Sequence, residues 1–435
     1  MKKYILDTST LISDPQSFKF YQDSEVIIPI TVLNELDKLK KQPGEAGRNA
    51  RVSIKLIDEI SLLGDISTGV LIDNNILIKV DATYYDIKND PKFLGFGDPT
   101  YGDTQILASL YTHFLEFIND DVILISNDIN LRIKAKARGI DACGYEGNKF
   151  SISDLYSGNQ SFVDEGTGNF LLKNGFIDPE VFGLELNQNE FVSFETKNND
   201  LISFGRKIDV NRVELVKKVY PWGITPKNKE QAYSIDLIMD PNIDLVTLIG
   251  KAGTGKSLMV LASALQLVLS KKYYEKFVIY RPIQPVGNDI GFLPGTLEEK
   301  LSPWFQAIMD NFEFLLGAKN REWKKDFEMW QKKGLIEMEA ITYIRGRSIP
   351  NSIILVDECQ NLSKEEVKTI LTRAGENTKI ILTGDLDQID RSDLDATNNG
   401  LIYVIEKLKN SGISGHVTLT KGERSKLATI ASELL

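Results

Sequence analysis

Two groups of residues in this 435-residue chain have the types and spacing for phosphate chemistry. The first is Gly250-Lys251-Ala252-Gly253-Thr254-Gly255-Lys256-Ser257, which fits G-x-x-x-x-G-K-[ST] between an apolar strand ending at Ile249 and an apolar helix running from Leu258. Glycines let backbone N–H groups turn inward on a phosphate, and the helix that follows aims its positive end at the anion. In such a loop Lys256 would neutralise the β- and γ-phosphates and Ser257 would hold Mg²⁺. The acidic partner such a loop needs is supplied by Ile353-Ile354-Leu355-Val356-Asp357-Glu358, an apolar strand that presents Asp357 to the metal and Glu358 to the attacking water. A leaving γ-phosphate gains charge that a guanidinium stabilises, and the candidates are Arg281, Arg345, Arg347 and Arg424, one acting in cis and another from a neighbouring subunit.

The second group is acidic. Asp7 closes the first expected strand, Glu35 follows a strand-to-helix turn, Asp103 opens a helix in Gly102-Asp103-Thr104, and Asp128 follows a strand in Ser126-Asn127-Asp128. If those strands are parallel, their C-terminal ends lie together and the four acids converge on one cleft. Packed carboxylates repel unless a cation neutralises them, and hard oxygen ligands favour Mg²⁺ or Mn²⁺. Metals of that kind activate water for phosphodiester cleavage. A basic stretch after Asp128, carrying Arg132, Lys134, Lys136 and Arg138, is either an RNA-phosphate contact or a solvated helix face.

The elements that must position these residues alternate. Tyr4 to Leu6, Val26 to Ile28 and Val122 to Ile125 read as buried parallel strands, and Thr104 to Phe117 as an amphipathic helix, which predicts a parallel α/β sheet over residues 1–147. Residues 148–220 change character: Gly and Asn punctuate short runs at Asn169 to Leu172, Phe191 to Thr196 and Leu201 to Phe204, with a hairpin signal at Asn174-Gly175. A small β-rich connecting domain is expected there. The Pro-rich stretch from Pro221 opens a third domain, residues 221–435, whose strand candidates (Leu245 to Ile249, Phe277 to Tyr280, Ile353 to Val356, Ile380 to Leu382) predict a second parallel α/β sheet.

Composition narrows the chemistry. With 42% hydrophobic and 26% charged residues the chain is an ordinary folded one, and a net charge of −10 excludes a generally basic nucleic-acid coat. Two histidines, His113 and His416, outside any motif, leave no basis for His-rich zinc sites or Ser-His catalysis. Cys143 and Cys359 are too few for a disulfide framework, which suggests a reducing compartment. The apolar run at the N-terminus stops at Asp7, short of a signal sequence, and no stretch reaches the length of a membrane span; a cytoplasmic protein is expected.

Asp357-Glu358-Cys359-Gln360 and Gly384-Asp385-Leu386-Asp387-Gln388 resemble the D-E-x-Q and G-D-x-x-Q motifs of superfamily 1 helicases. The resemblance makes Gln388 a γ-phosphate sensor linking hydrolysis to movement on a strand, and places Asn228 and Gln231 where related helicases read adenine. The strand-D-T opening, the early Glu35, Gly102-Asp103-Thr104 and Ser126-Asn127-Asp128 are similar to PIN-domain ribonucleases. Tyr280-Arg281-Pro282, Gly291-Phe292-Leu293-Pro294-Gly295 and Arg345-Gly346-Arg347-Ser348 complete a resemblance to the PIN-PhoH family over nearly the full chain. That family implies ATP-dependent RNA unwinding coupled to Mg²⁺-dependent cleavage of single-stranded RNA by a ring, expected to be a homohexamer. Two other readings stay open at this point: an ATP-switched RNA-binding scaffold whose PIN domain is inactive, and a DNA-directed nuclease-helicase, since nothing in the sequence reads a 2′-hydroxyl.

Overall fold

The computed structural model describes residues 2–42, 45–116, 121–145, 155–282, 297–317, 322–344, 346, 348–391 and 394–422. The chain forms two compact units, Met1–Phe150 and Ser151–Leu435. Among the described residues no helix is long and apolar enough to cross a membrane.

In the first unit six strands form one sheet: β1 (Lys2–Leu6), β2 (Ser24–Pro29), β3 (Val70–Ile72), β4 (Ile76–Asp81), β5 (Val122–Ile125) and β6 (Asp141–Cys143), in the order β3-β4-β2-β1-β5-β6. All neighbours are parallel except β3 against β4. Central strands of such a sheet are covered on both faces, which is why β2 is buried along its whole length and reads as an apolar run. The helices are α1 (Thr8–Ser13), α2 (Ile30–Leu39), α3 (Glu45–Ser61), α4 (Gly102–Glu116) and α5 (Ile129–Lys136). Parallel order brings the C-terminal ends of β1, β2, β4 and β5 to one edge. Asp7 leaves β1 there and at once caps α1, its carboxylate accepting the Thr8 N–H at 2.6 Å.

The second unit holds two sheets. The smaller has β7 (Asn159–Val163), β8 (Phe176–Ile177), β9 (Phe191–Glu195), β10 (Leu201–Asp209) and β11 (Arg212–Leu215), ordered β7-β9-β10-β11-β8, with α6 (Glu165–Asn174) against it. Asn169 to Leu172, read from sequence as a short run before a hairpin, lies inside α6, and Asn174-Gly175 ends that helix with Gly175 at φ 78°. The Asn-Gly pair does signal a left-handed residue. A helix C-terminus uses that conformation as readily as a hairpin does.

The larger sheet is wholly parallel, in the order β14-β13-β15-β16-β12-β17, from β12 (Leu245–Gly250), β13 (Lys276–Arg281), β14 (Ile336–Ala340), β15 (Ser352–Val356), β16 (Lys379–Gly384) and β17 (Ser414–Leu419). Its helices are α7 (Lys229–Met239), α8 (Lys256–Leu265), α9 (Leu297–Phe312), α10 (Trp323–Lys332), α11 (Lys364–Leu371) and α12 (Gly400–Leu408). Helix α7 joins the two sheets. Lys229, Tyr233, Asp236 and Asp240 recur at helical spacing and meet the small sheet: Lys229 Nζ reaches Ser193 at 3.0 Å and Glu195 at 2.6 Å, Phe191 stacks on Tyr233 at 4.3 Å, and Arg206 pairs with Asp236 at 3.0 Å and with Asp240. Phe191 and Phe204 thereby enter the same apolar core as Leu248, Val260 and Leu355.

Candidate nucleotide and carboxylate sites

The loop 250–257 leaves β12 and enters α8 through two left-handed glycines, Gly253 at φ 86° and Gly255 at φ 91°, which is how the backbone can turn its N–H groups inward. A cleft of about 310 Å³ lies beside it, walled by Ala252, Gly253, Gly255, Lys256, Ser257, Leu258, Arg281, Asp357, Glu358, Asp385 and Gln388, and closed on one side by Ala307, Ile308 and Asn311 of α9. The strand order places Asp357, which follows β15, close to the loop: Ser257 Oγ lies 3.4 Å from Asp357 Oδ1, and Thr383 Oγ1 donates to the same oxygen at 2.6 Å. A hydroxyl and a carboxylate so placed match the hard oxygen donors that Mg²⁺ takes in nucleotide sites.

Glu358 is backbone-strained, at φ 55°, and its carboxylate is shared between Arg281 Nη2 at 3.1 Å and Gln360 Nε2 at 2.7 Å. Burial, reinforced by the charge of Asp357, raises its pKa above the usual glutamate value, while Gln360, Arg281 and Lys256 pull the other way. Gln360 also donates to the Gln388 carbonyl at 2.8 Å and accepts from the Asp385 N–H at 3.1 Å, and Asp385 Oδ2 accepts from Ala252 N–H at 2.7 Å. A continuous polar chain thus runs from the phosphate loop to Glu358 and Gln388. Lys256 Nζ donates to the Gly250 carbonyl and to the Lys251 carbonyl at 3.2 Å.

Four other residues singled out from sequence, Asn228, Gln231, Lys251 and Thr254, sit off the cleft wall. Asn228 caps α7, accepting the Gln231 N–H at 2.9 Å. The Gln231 amide accepts from Lys227 N–H at 2.8 Å and donates to the Thr254 carbonyl at 3.0 Å, which ties α7 to the loop. Lys251 pairs with Asp387 at 3.2 Å, and Thr254 is fully buried. Arg345, Arg347, Arg424 and residues 291–295 lie outside the described residues.

In the first unit the structure brings Asp7, Glu35 and Asp103 within electrostatic reach of one another. Burial raises the pKa of Asp7, whose Oδ2 accepts from Ser9 at 2.6 Å and Ser126 at 2.7 Å, and Asp103 adds to the rise. Burial likewise raises that of Glu35, with Asp7 and Asp103 contributing, against a hydrogen bond from the Thr8 hydroxyl. Mutual repulsion among neighbouring, partly buried carboxylates is the condition a bound cation relieves. Asp128 is placed differently: it caps α5, accepting from the N–H groups of Asn130 at 2.7 Å and Leu131 at 3.2 Å, and touches the group through Ser126, whose hydroxyl accepts from Asp128 N–H at 3.0 Å. Among the described residues no three acidic, His or Cys side chains already form a metal shell.

Two contributors escaped the sequence reading. Ser126 bridges Asp7 and Asp128; its place in Ser126-Asn127-Asp128 was the available signal. Gly102 is the second: a Cβ built there would stand 1.8 Å from Glu35 Oε1, so glycine makes room for that carboxylate. The basic stretch of α5 is partly structural. Arg132 donates to the Ser126 carbonyl at 2.7 Å and Arg138 to the Gly95 carbonyl at 2.9 Å, while Lys134 lies 3.7 Å from Asp103. His113 lies 3.5 Å from buried Asp81, and His416 is buried against Thr247 with its pKa held down to about 3; both serve the fold.

A parallel sheet with acids at its strand ends, followed by a phosphate-loop sheet with its paired acid, defines a PIN domain joined to an NTPase domain. Residues 4–146 match the PIN domain family and residues 223–432 the family described as PhoH-like protein. The protein named PhoH2 from Bacillus subtilis is 40% identical over 448 residues, spanning 100% of both chains. Proteins of that name from Thermobispora bispora (33%, 100% of this chain and 96% of its own) and Mycolicibacterium smegmatis (32%, 100% and 97%) are similar at full length. The chain belongs to this PhoH2 family of PIN–PhoH fusions. Among solved structures, a domain of a functionally unknown protein from Methanocaldococcus jannaschii aligns with TM-score 0.23 and 21% identity over 35% of this chain and 96% of its own, too slight a likeness to support an argument.

Proposed function

We propose that the protein is an ATP-driven RNA translocase or helicase whose PIN domain cuts single-stranded RNA. The observation that carries this reading is the polar chain Ala252–Asp385–Gln360–Glu358 with its branch to Gln388, because it couples what occupies the phosphate loop to the acid that activates water and to the strand end beyond β16. Lys256 trades the loop carbonyls for the phosphates of ATP. Thr383 and Ser257 orient Asp357, and Ser257 with Asp357 would hold Mg²⁺. Glu358, made more basic by burial and held by Arg281, accepts the proton of the attacking water.

In the PIN unit Asp7, Glu35 and Asp103 would hold Mg²⁺ or Mn²⁺, which supplies Lewis acidity and a water of lowered pKa. Ser9 and Ser126 fix the Asp7 carboxylate and Thr8 that of Glu35, two of the three that would bind it. A self-associated ring, a homohexamer, would let an arginine act across subunits, and two cysteines that form no disulfide with each other suit the cytoplasm. The test is double. Lys256→Ala abolishes ATP-driven unwinding of a labelled RNA duplex, and Asp7→Asn abolishes Mg²⁺-dependent cutting of a labelled single strand. Unwinding that survives Lys256→Ala refutes the motor assignment. The capping role of Asp128 favours a second reading, an ATP-switched RNA-binding scaffold, and wild-type protein that does not cut in Mg²⁺ or Mn²⁺ selects it. Equal cutting of matched DNA identifies a DNA-directed enzyme.

A further inference from the structure

Between β4 and α4 the chain crosses residues 82–101 with no regular element but the short turn Pro91–Phe93. Long irregular connections inside compact domains are usually either functional or loose linkers. This one is firmly held. Tyr85, Ile87, Phe93 and Phe96 are buried, the rings of Tyr85, Phe93, Phe96 and Tyr111 follow one another at 5.7, 5.3 and 5.3 Å, and Arg138 lies over Phe96 at 4.2 Å. Gln105 fixes the Tyr85 backbone with two bonds of 3.0 Å.

The same connection turns two other aromatic rings outward. Tyr84 and Tyr101 are each 67% exposed, and the Tyr84 hydroxyl reaches across the segment to donate to the Pro99 carbonyl, two residues before Tyr101, at 3.4 Å. Tyr101 stands at the rim of the acidic group. Its carbonyl accepts the Thr104 N–H at 3.1 Å at the start of α4, the next residue, Gly102, abuts the Glu35 carboxylate, and the one after is Asp103. The fold buries four aromatic or aliphatic side chains to hold this segment still and leaves the Tyr101 ring exposed one residue before the glycine that abuts Glu35 and two before Asp103.

We propose that Tyr101 stacks an unpaired base of the RNA strand whose phosphate enters the Asp7–Glu35–Asp103 group. This rests on the nuclease reading and specifies how that site takes its substrate. Stacking on an aromatic ring tolerates any base, and the faces of duplex bases are already covered, so the platform selects single strands without reading sequence. Lys134, 3.7 Å from Asp103, places a cation where the neighbouring phosphate would pass.

The test uses the full chain carrying Asp7→Asn, without ATP, and measures by anisotropy the binding of a labelled oligouridylate and of an abasic strand of equal length. Adding Tyr101→Ala is expected to weaken oligouridylate binding by about 5- to 100-fold and to leave the abasic strand unchanged, the size of one lost base–aromatic stack. Tyr101→Phe keeps the affinity, and equal melting temperatures show that the fold is intact. Equal loss on both strands, no loss on either, or no preference for the base-bearing strand before Tyr101 is changed overturns the proposal. Cutting by the otherwise unaltered protein is scored in parallel. If it cuts and Tyr101→Ala binds normally, stacking alone is wrong; if it does not cut, the nuclease reading fails whatever Tyr101 does.

Discussion

Replacing Gly102 with alanine separates the alignment of the acidic group from the stability of its fold. The new Cβ would stand 1.8 Å from Glu35 Oε1, 2.9 Å from Glu35 Cδ and 3.3 Å from Thr31 Cγ2. An ordinary contact begins near 3.4 Å, so the Glu35 carboxylate must retreat by about 1.6 Å, and a misplacement of about 1 Å at a reacting group costs on the order of 100-fold in rate. Little else must move. Glu35 Oε1 ends a flexible side chain, Gly102 has no left-handed φ to lose, and alanine gains up to about 1 kcal/mol over glycine in a helix. Gly102→Ala is therefore expected to melt within about 3 °C of the wild type, to keep its ATPase rate, and to lose about 100-fold in Mg²⁺-dependent cutting of a labelled single-stranded RNA. A variant that cuts at the wild-type rate would show that Glu35 takes no part in the reaction. One that loses cutting only because it unfolds is recognised by its melting curve.

Asp7→Asn tests the electrostatics of the same group without reference to activity. Burial raises the Asp7 pKa, so its ionised form costs stability above the folded-state pKa, and that cost vanishes as pH falls toward the ordinary value of 3.8. In chelator-treated protein Asn is expected to raise the melting temperature of the PIN unit by roughly 2–4 °C near neutral pH, less as pH falls, and Mg²⁺ should then stabilise the wild type but not the variant; a lower melting temperature for Asn at every pH contradicts the assignment. In the other unit Thr383→Val removes a 2.6 Å hydrogen bond to Asp357, worth about 1.5–3 kcal/mol for a charged acceptor. Steady-state ATP turnover should fall by about 10- to 100-fold and return with Thr383→Ser; full activity in the valine variant means that Asp357 is held in place without it.

What the sequence could disclose follows from how each element is buried. The strands β2, β12 and β15 are covered on both faces and appear as plain apolar runs. The strand β17 is just as buried but carries Ser414 and His416, because His416 finds Thr247 at 2.8 Å and Thr418 at 3.0 Å inside the sheet; polar residues satisfied by tertiary partners leave no apolar signal. The strand β14, Ile336–Ala340, is half covered and alternates with glutamates, so it too escapes a search for continuous apolar runs. At the sites, residue type showed which acids were candidates and their flanking motifs showed where to look. The division of labour did not show: Asp7 caps a helix and joins the acidic group, Asp128 also caps a helix and reaches the group through Ser126, and both roles produce the same local pattern of an acid before a helix.

The two clefts handle negative charge in opposite ways. In the nucleotide cleft Glu358 faces protein cations, since Arg281 lies 3.1 Å away and Lys256 also lowers its pKa, while Asp357 accepts from the hydroxyls of Ser257 and Thr383. In the PIN unit buried Asp7 and half-buried Glu35 accept mainly from the hydroxyls of Ser9, Ser126 and Thr8; Lys38 acts weakly on Glu35, and Lys134 reaches only Asp103. Hydroxyls orient a carboxylate but do not neutralise it. The nucleotide cleft can therefore hold a phosphate chain by Lys256 and the loop N–H groups before any metal arrives, whereas the acidic group repels a phosphodiester until a divalent cation is present. Fluorescent ADP should accordingly bind the chelator-treated protein, and Lys256→Ala should remove that binding. A short single-stranded RNA should gain affinity for a Tyr101-intact, Glu35→Gln protein even without metal, because one of the repelling charges is gone. If Glu35→Gln binds RNA no better than the wild type in chelator, the three acids do not act on the phosphate as a group, and the cleft that parallel strand order builds at this edge is not where RNA enters.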